Sequence, residues 1–428
     1  MLIPNYIEMK FIYNFLLIAA IFFCGCQDRQ QRVLKQFGLE SESAVVSSYT
    51  EIPLKGKPIE LTVPNTQSDA LYVGCLEELF DSISVVRLET TSTFVVGEIS
   101  KLEIVNDTIY ILDKKTKSIF LFSKTGRGLV KLEKIGQGPG EYTEATSMSV
   151  DVNSIYVYDQ WQHKVIKYAH NGSLIADYNV PFRCQSVFSL ENGDMLCFGE
   201  GEHNFHLPSI LNYCFWQCDS AFSHISRVGL QSDQDKTIGN GNNALWHYSG
   251  FHYYFSISKN SFYRISPDGS IDYLFKLKFD PEYDERFYTD TRYYFAAMEN
   301  GARSVDDFFI VGDVVVFGVY QIRKAPTYIF YNIHDNVFRY INVCNYTDSN
   351  ISRVIPINQP IYVYDNQIVF SLTSDRILDT HKEIIAHFPN LWDNAPDYVR
   401  EFDKQLLDSL SYEDNDILVF GKIKEHFD

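Results

Sequence analysis

The chain has 428 residues, 45% hydrophobic and 15% aromatic, enough to bury a large core and rich in the Phe and Tyr that suit packed strands. Thirty-seven basic against 55 acidic residues leave a formal charge of -18, which repels phosphate backbones, so no nucleic acid is expected as a partner. Neither a Gly-x-Ser-x-Gly elbow nor an HExxH motif occurs, and no cofactor is expected.

The first element is an address. Phe11 to Phe23 is an apolar run of 13 residues behind Lys10, too short to cross about 30 Å of hydrocarbon but suited to a signal-peptide core. Cys24-Gly25-Cys26 follows, and Gly25-Cys26 reads as the cleavage junction of a bacterial lipoprotein signal, although Phe23 stands where Leu is usual. Residues 1–25 are then the signal and Cys26 the lipidated residue, which makes the membrane a partner through the anchor. The stretch before Lys10, MLIPNYIE, is a poor n-region, which points to Met9 as the start of translation. Residues 26–43 are largely polar and read as a flexible tether. Residues 44–428 read as one domain.

Within that domain, Ile59, Leu61 and Val63 alternate with Glu60 and Thr62, the period of a half-buried accessory strand. Ile83 to Leu88 is a further strand. The next segment is said twice: Ile109-Tyr-Ile-Leu-Asp113, Ile119-Phe-Leu-Phe122 and Gly126 recur 46 residues later as Ile155-Tyr-Val-Tyr-Asp159, Val165-Ile-Lys-Tyr168 and Gly172. A repeat of that length made of short strands predicts a propeller blade, with Asp113 and Asp159 as turn formers. Four further units follow, marked by Ser186–Phe198, Tyr253–Ile265, Val314–Tyr331 and Ile361–Leu372, the last completed by Ile417–Phe420. The sixth unit is one strand short, and pairing Ile83–Leu88 with the C-terminal strand closes the ring and hides two edges. The fold class is therefore all-β, a six-bladed propeller. Helical spacing marks two insertions, Pro281 to Gly301 and Tyr398 to Leu410.

Three strings make the chain similar to the six-bladed β-propeller lipoproteins of Bacteroidetes, related in shape to NHL and TolB-like propellers. They are Val85-Val-Arg-Leu-Glu-Thr-Thr91 behind Leu76-Glu-Glu-Leu-Phe80, the Ile135-Gly-Gln-Gly-Pro-Gly-Glu-Tyr142 loop, and Asn415-Asp-Ile-Leu-Val-Phe420 after a helix. The resemblance implies a cell-envelope protein linked to glycan use or surface recognition. It supplies no catalytic motif.

Candidate site residues lie in loops, where propellers vary. In Asp159-Gln-Trp-Gln-His-Lys164, Trp161 offers a flat face to a sugar and His163 a hydrogen bond. Glu141 and Tyr142 are expected at a blade rim within reach of a polar ligand, beside glycines that lack the following helix of a dinucleotide cradle. Tyr320 and Arg323 pair an aromatic with a cation suited to a carboxylate. Glu200, Glu202, His203 and His206 are weak metal candidates, better read as a solvated turn. Of the remaining cysteines (Cys75, Cys184, Cys197, Cys214, Cys218, Cys344), Cys214 and Cys218 flank Trp216 and read as small buried hydrophobes rather than a metal pair.

The expected function is recognition: a lipid-anchored envelope propeller binding a glycan or peptide on one face. The alternatives are a carbohydrate lyase or hydrolase with its site over the central channel, and a scaffold for envelope protein partners.

Overall fold

The computed structural model describes residues 29–64, 71–72, 78–200, 202–232, 245–324, 326–342, 359–387 and 404–427. Their strands form six separate sheets, the blades of a β-propeller. Blades 1 to 5 are antiparallel meanders in chain order, spanning 101–132, 147–179, 186–231, 245–278 and 304–342. Blade 6 takes three strands from the C-terminal region, Pro360–Tyr364, Gln367–Leu372 and Ile417–Ile423, and its fourth from Phe80–Arg87. That pairing runs antiparallel from Ile417 opposite Arg87 to Ile423 opposite Phe80. The ring closes as expected: Ile417–Ile423 is paired on both sides, and Phe80–Arg87 becomes the outer strand of the blade.

Blades pack face against face, so a middle strand is covered on both sides. In Thr108–Asp113 every residue after the first is buried, and Ile155–Asp159 is buried throughout. Such strands read as continuous apolar runs rather than alternating ones. Alternation returns in outer strands such as Leu174–Asn179, where exposed and half-buried positions alternate after Leu174. The core is accordingly divided among the blade interfaces: Tyr110, Ile119, Met148 and Ile166 pack between blades 1 and 2, and Tyr158, Phe182, Met195 and Trp216 between blades 2 and 3.

The accessory strand belongs to a longer strap. Thr50–Ile52 lies parallel to the outer strand of blade 3, Leu54–Lys55 and Ile59–Thr62 lie parallel to that of blade 4, and Leu71–Tyr72 to that of blade 5. The chain then enters blade 6. Blades 3, 4 and 5 thus carry a parallel strand that their own sequence does not supply.

The expected tether is folded where it is described. Residues 29–36 are helical; Leu34 is buried, and the Phe37 ring stacks on His206 and lies 4.5 Å from His163. An apolar pair in a polar stretch is enough to dock it. Cys26 and the signal lie outside the described residues.

The insertion at 281–301 holds the helices Arg286–Thr289 and Thr291–Glu299, with Phe287 and Met298 turned inward. Of the second insertion, 404–407 is helical and Leu406 is buried. The helix Ser374–His387 was not expected; it buries Ile377, Thr380 and Ile384 among many polar residues. No helix among the described residues is long and apolar enough to cross a membrane.

Strand direction alternates within a blade, so the ring has two distinct faces. Turns between first and second strands, and between third and fourth, fall on one face, termed lower. Second-to-third turns and blade-to-blade connections fall on the upper face. Asp113 and Asp159 are turn formers there, with a second task each. Asp113 accepts N–H groups from Thr116 in its turn and Gly97 in the entering connection; Asp159 does the same with Gln162 and Thr143. Burial alone would raise the Asp159 pKa, but hydrogen bonds from Thr143, Gln162 and Glu144 hold it below the ordinary value.

Candidate functional site

Every candidate loop from the sequence lies on the upper face, and most of its polar groups are already engaged. In the Ile135–Tyr142 loop, Gly136 donates its N–H to the Tyr142 carbonyl, Gly138 to Glu141 Oε2 at 2.9 Å, and Gly140 to Asp177 Oδ2 at 2.8 Å. No glycine amide is left for an anion. A Cβ on Gly136 would fall 2.0 Å from Glu141 Oε2, so glycine is needed for the carboxylate to fold back. Glu141 therefore closes its own loop instead of facing a ligand. Tyr142 is fully buried and donates to the backbone carbonyls of Lys117 and Leu132, both at 3.1 Å. Burial pushes its pKa up to about 12. It is a structural peg between blades, not a rim residue.

The turn of blade 2 splits its two candidates. Trp161 is 66% exposed, and its indole N–H is oriented by Glu144 Oε2 at 3.1 Å. His163 turns the other way, with φ of 51°, toward Phe37. Burial lowers its pKa, and Nδ1 has no partner. Tyr320 and Arg323 are likewise separated. Tyr320 donates to Asp307, which also accepts from Tyr328 at 3.1 Å and from Gln359 at 2.7 Å, while Arg323 is exposed in a left-handed turn.

The four weak metal candidates do not converge. His206 is buried, bonded through Nε2 to the Pro181 carbonyl at 2.9 Å, and His203 is exposed and stacked on Phe205. Glu200 accepts from Tyr254, and burial raises the pKa of Glu202. The loop instead forms the seat for the N-terminal helix. Cys214 packs between blades 3 and 4 and Cys218 between blades 2 and 3, both buried and outside any disulfide, so they do not form a pair.

The strongest site is on the lower face, at the mouth of the central channel. A cavity of about 610 Å³ is lined by Glu103, Ser149, Asp151, Phe188, His247 and His252, among others. A second, also about 610 Å³, shares His247 with it and continues toward Tyr248, Tyr362 and Asn366. Both fall in the size range of small-ligand pockets. The walls come from the first strands of blades 1, 2, 3, 4 and 6, joined by lower-face turns and by residues of later strands, among them Tyr156 and Lys167 of blade 2, Met195 of blade 3 and His252 of blade 4.

Its chemistry is concentrated. Lys101 Nζ lies 3.2 Å from Glu103 Oε1 and donates to the Met148 carbonyl at 2.8 Å, while standing over the Phe188 ring. The His247 and His252 rings are 5.0 Å apart, and Phe188 packs 4.5 Å from His252. Burial pushes both imidazole pKa values down, that of His252 well below the ordinary range, with Lys101 acting in the same direction on each. Two buried polar atoms there, Ser149 Oγ and His252 Nδ1, have no hydrogen-bond partner. Burial, then the Glu103 charge, raises the Tyr362 pKa far above its usual value. A carboxylate paired with the Lys101 ammonium, a hydroxyl, neutral imidazoles and an aromatic wall thus line one opening.

Sequence reasoning missed this group because it looked in loops. A signal was present: Glu103 and Ser149 are equivalent positions, 46 residues apart, in the two copies of the repeat, and they differ.

Residues 63–422 match the model of a domain of unknown function, DUF4934. No curated protein matches the chain. Among solved structures, a Bacteroides fragilis protein described as exported superposes with a TM-score of 0.68 at 19% identity, over 86% of this chain and 100% of that one. A DUF4221 member from Bacteroides vulgatus gives 0.44 at 11% identity over 81% and 97%, and streptogramin B lyase 0.32 at 11% over 68% and 94%. The first likeness is one of fold; the other two are too distant to inform function.

Proposed function

We propose that this chain, which belongs to the DUF4934 family, is an envelope recognition protein that binds a small glycan in the lower-face cavity. One observation carries the reading: Ser149 Oγ and His252 Nδ1 are buried there without partners. An unsatisfied buried polar atom costs about 1–3 kcal/mol, and a site that retains two of them gains from a ligand that satisfies both. Hydroxyls of a sugar suit the pair, since each can donate or accept. Glu103, paired with Lys101, adds a charged partner and Phe188 an apolar wall for the ring.

The location follows from the N-terminal address, with Cys26 as the lipidated residue, and the fold-mate from Bacteroides fragilis, itself described as exported, is consistent with it. Residues 29–36 dock on the upper face, so the anchor tethers that face and the cavity opens away from the bilayer. Trp161, the candidate sugar shelf of the sequence, lies on the anchored side.

A hydrolase or lyase reading is favoured by one group near the channel in blade 5: burial, then the Asp307 charge, pushes the Asp306 carboxyl up to about 6, suited to proton transfer. Screening the full-length chain against a glycan panel tests both readings. Binding is expected to weaken by about tenfold or more in Ser149→Leu and in His252→Phe, the worth of a hydrogen bond or two. Unchanged affinity in both variants sinks the cavity; product release by the wild type, lost in Asp306→Asn, favours the enzyme, and capture of peptides alone rejects the glycan.

A further inference from the structure

A different cluster lies at the outer part of blade 5, remote from the cavity. His334 and Asp335 occupy the turn between the third and fourth strands, Thr327–Asn332 and Val337–Asn342, and His426 follows the last strand of the chain. The Nδ1 of His426 is 3.0 Å from both Asp335 carboxylate oxygens, and His334 Nδ1 is 3.0 Å from Oδ1. The three ligand atoms all lie within 4.8 Å of one another.

We infer that His334, Asp335 and His426 form a binding site for a zinc-class divalent cation, which pins the C-terminal tail to blade 5. Zinc takes imidazole nitrogen and carboxylate oxygen at about 2.0–2.2 Å in tetrahedral geometry, so its ligands sit a little over 3 Å apart. The three atoms need only small rotations to reach that spacing, because two of the contacts are already this close. Two nitrogens and one carboxylate suit zinc better than magnesium or calcium, which prefer more oxygen ligands. The imidazoles are open to solvent, leaving the fourth position to water.

The support behind these ligands is what separates them from a chance surface cluster. Asn332 is fully buried and joins both arms: its Oδ1 accepts the Asp335 N–H at 2.9 Å and its Nδ2 donates to the Glu425 carbonyl at 2.6 Å. One buried amide therefore fixes the turn that carries two ligands and the tail that carries the third. Phe427, next to His426, is buried in the core shared by blades 4, 5 and 6, and the Lys424 N–H bonds to the Leu79 carbonyl. A bound cation would thus lock the strand that closes the ring, coupling metal to fold.

Titrating the untagged full-length chain with zinc chloride, by calorimetry and thermal melting, tests the site. One equivalent is expected to bind and raise the melting temperature, with magnesium chloride inert. His426→Ala and Asp335→Asn should each lose about tenfold or more in affinity together with the thermal shift. His426 is exposed, so its variant should melt like the wild type without metal, and Asp335→Asn keeps an acceptor oxygen at a half-buried position, so it should still fold. Absence of zinc binding, or binding that survives either substitution and so belongs to other groups such as the buried thiols, overturns the assignment.

Discussion

Glu103 and Ser149 stand at the same place in successive copies of the 46-residue repeat, yet one is an ion-paired carboxylate and the other an unpartnered hydroxyl. Conserved blade geometry holds the position, and the side chain is free to serve the channel. His252 shows what this costs. Replacing it with Phe removes an unsatisfied nitrogen from the interior and is expected to leave stability unchanged or raise it by about 1 kcal/mol while ligand binding falls. The variant should also lose part of the wild type's acid sensitivity. Because folded His252 resists protonation, the unfolded chain binds the extra proton, so this contribution is complete above the unfolded pKa of about 6.5 and declines as pH falls below it. Denaturant melts of both proteins across that range check the sign, and parallel curves would refute it. Residue roles in the loops were poorly legible for the converse reason. Glu141, Tyr142 and His206 are polar types that suggest a ligand, and only packing reveals that their partners are in the chain itself.

At the scale of elements, continuous apolar runs and turn residues were readable because each strand lies between two blades and needs apolar side chains on both faces. The strap was legible only in part. Leu61 and Val63 are buried against blade 4 and the spacing marked them, whereas Leu54–Lys55 carries no alternation and pairs through its backbone. Leu61→Ala is expected to cost about 2–4 kcal/mol, as for other buried leucines. Chemical denaturation would measure it, and a loss near zero would mean that the strap is peripheral to blade 4. Ser374–His387 escaped notice because only two of its four buried residues, Ile377 and Ile384, are apolar, too thin a stripe to stand out among its charges. Phe37 gave no warning either, since its value depends on two histidines more than a hundred residues away.

For the whole molecule, the two faces differ in ways that bear on orientation. Val95, Ile135, Trp161, Phe205 and Ile322 are exposed on the upper face, where residues 29–36 dock. Lower-face turns carry Asp107, Asp151, Asp313, Asp335 and Asp365, which an anionic bilayer repels. On the proposed anchoring through Cys26, the full-length chain on vesicles containing brominated lipids should therefore show quenching of Trp161 fluorescence. Trp161→Phe and Cys26→Ser should each abolish that component, the other described tryptophans, Trp216 and Trp246, being buried. A wild type that is no more quenched than Trp161→Phe would place the upper face away from the membrane.

The sequence by itself determined the blade, the number of blades and the closure of the ring, because these depend on local strand pattern, turn chemistry and one unpaired strand at each end. Tertiary structure alone decided which polar residues share an opening. First strands from blades 1, 2, 3, 4 and 6 meet at the channel only because the ring closes, and side chains separated by up to about 260 positions become neighbours there. No local pattern records that meeting.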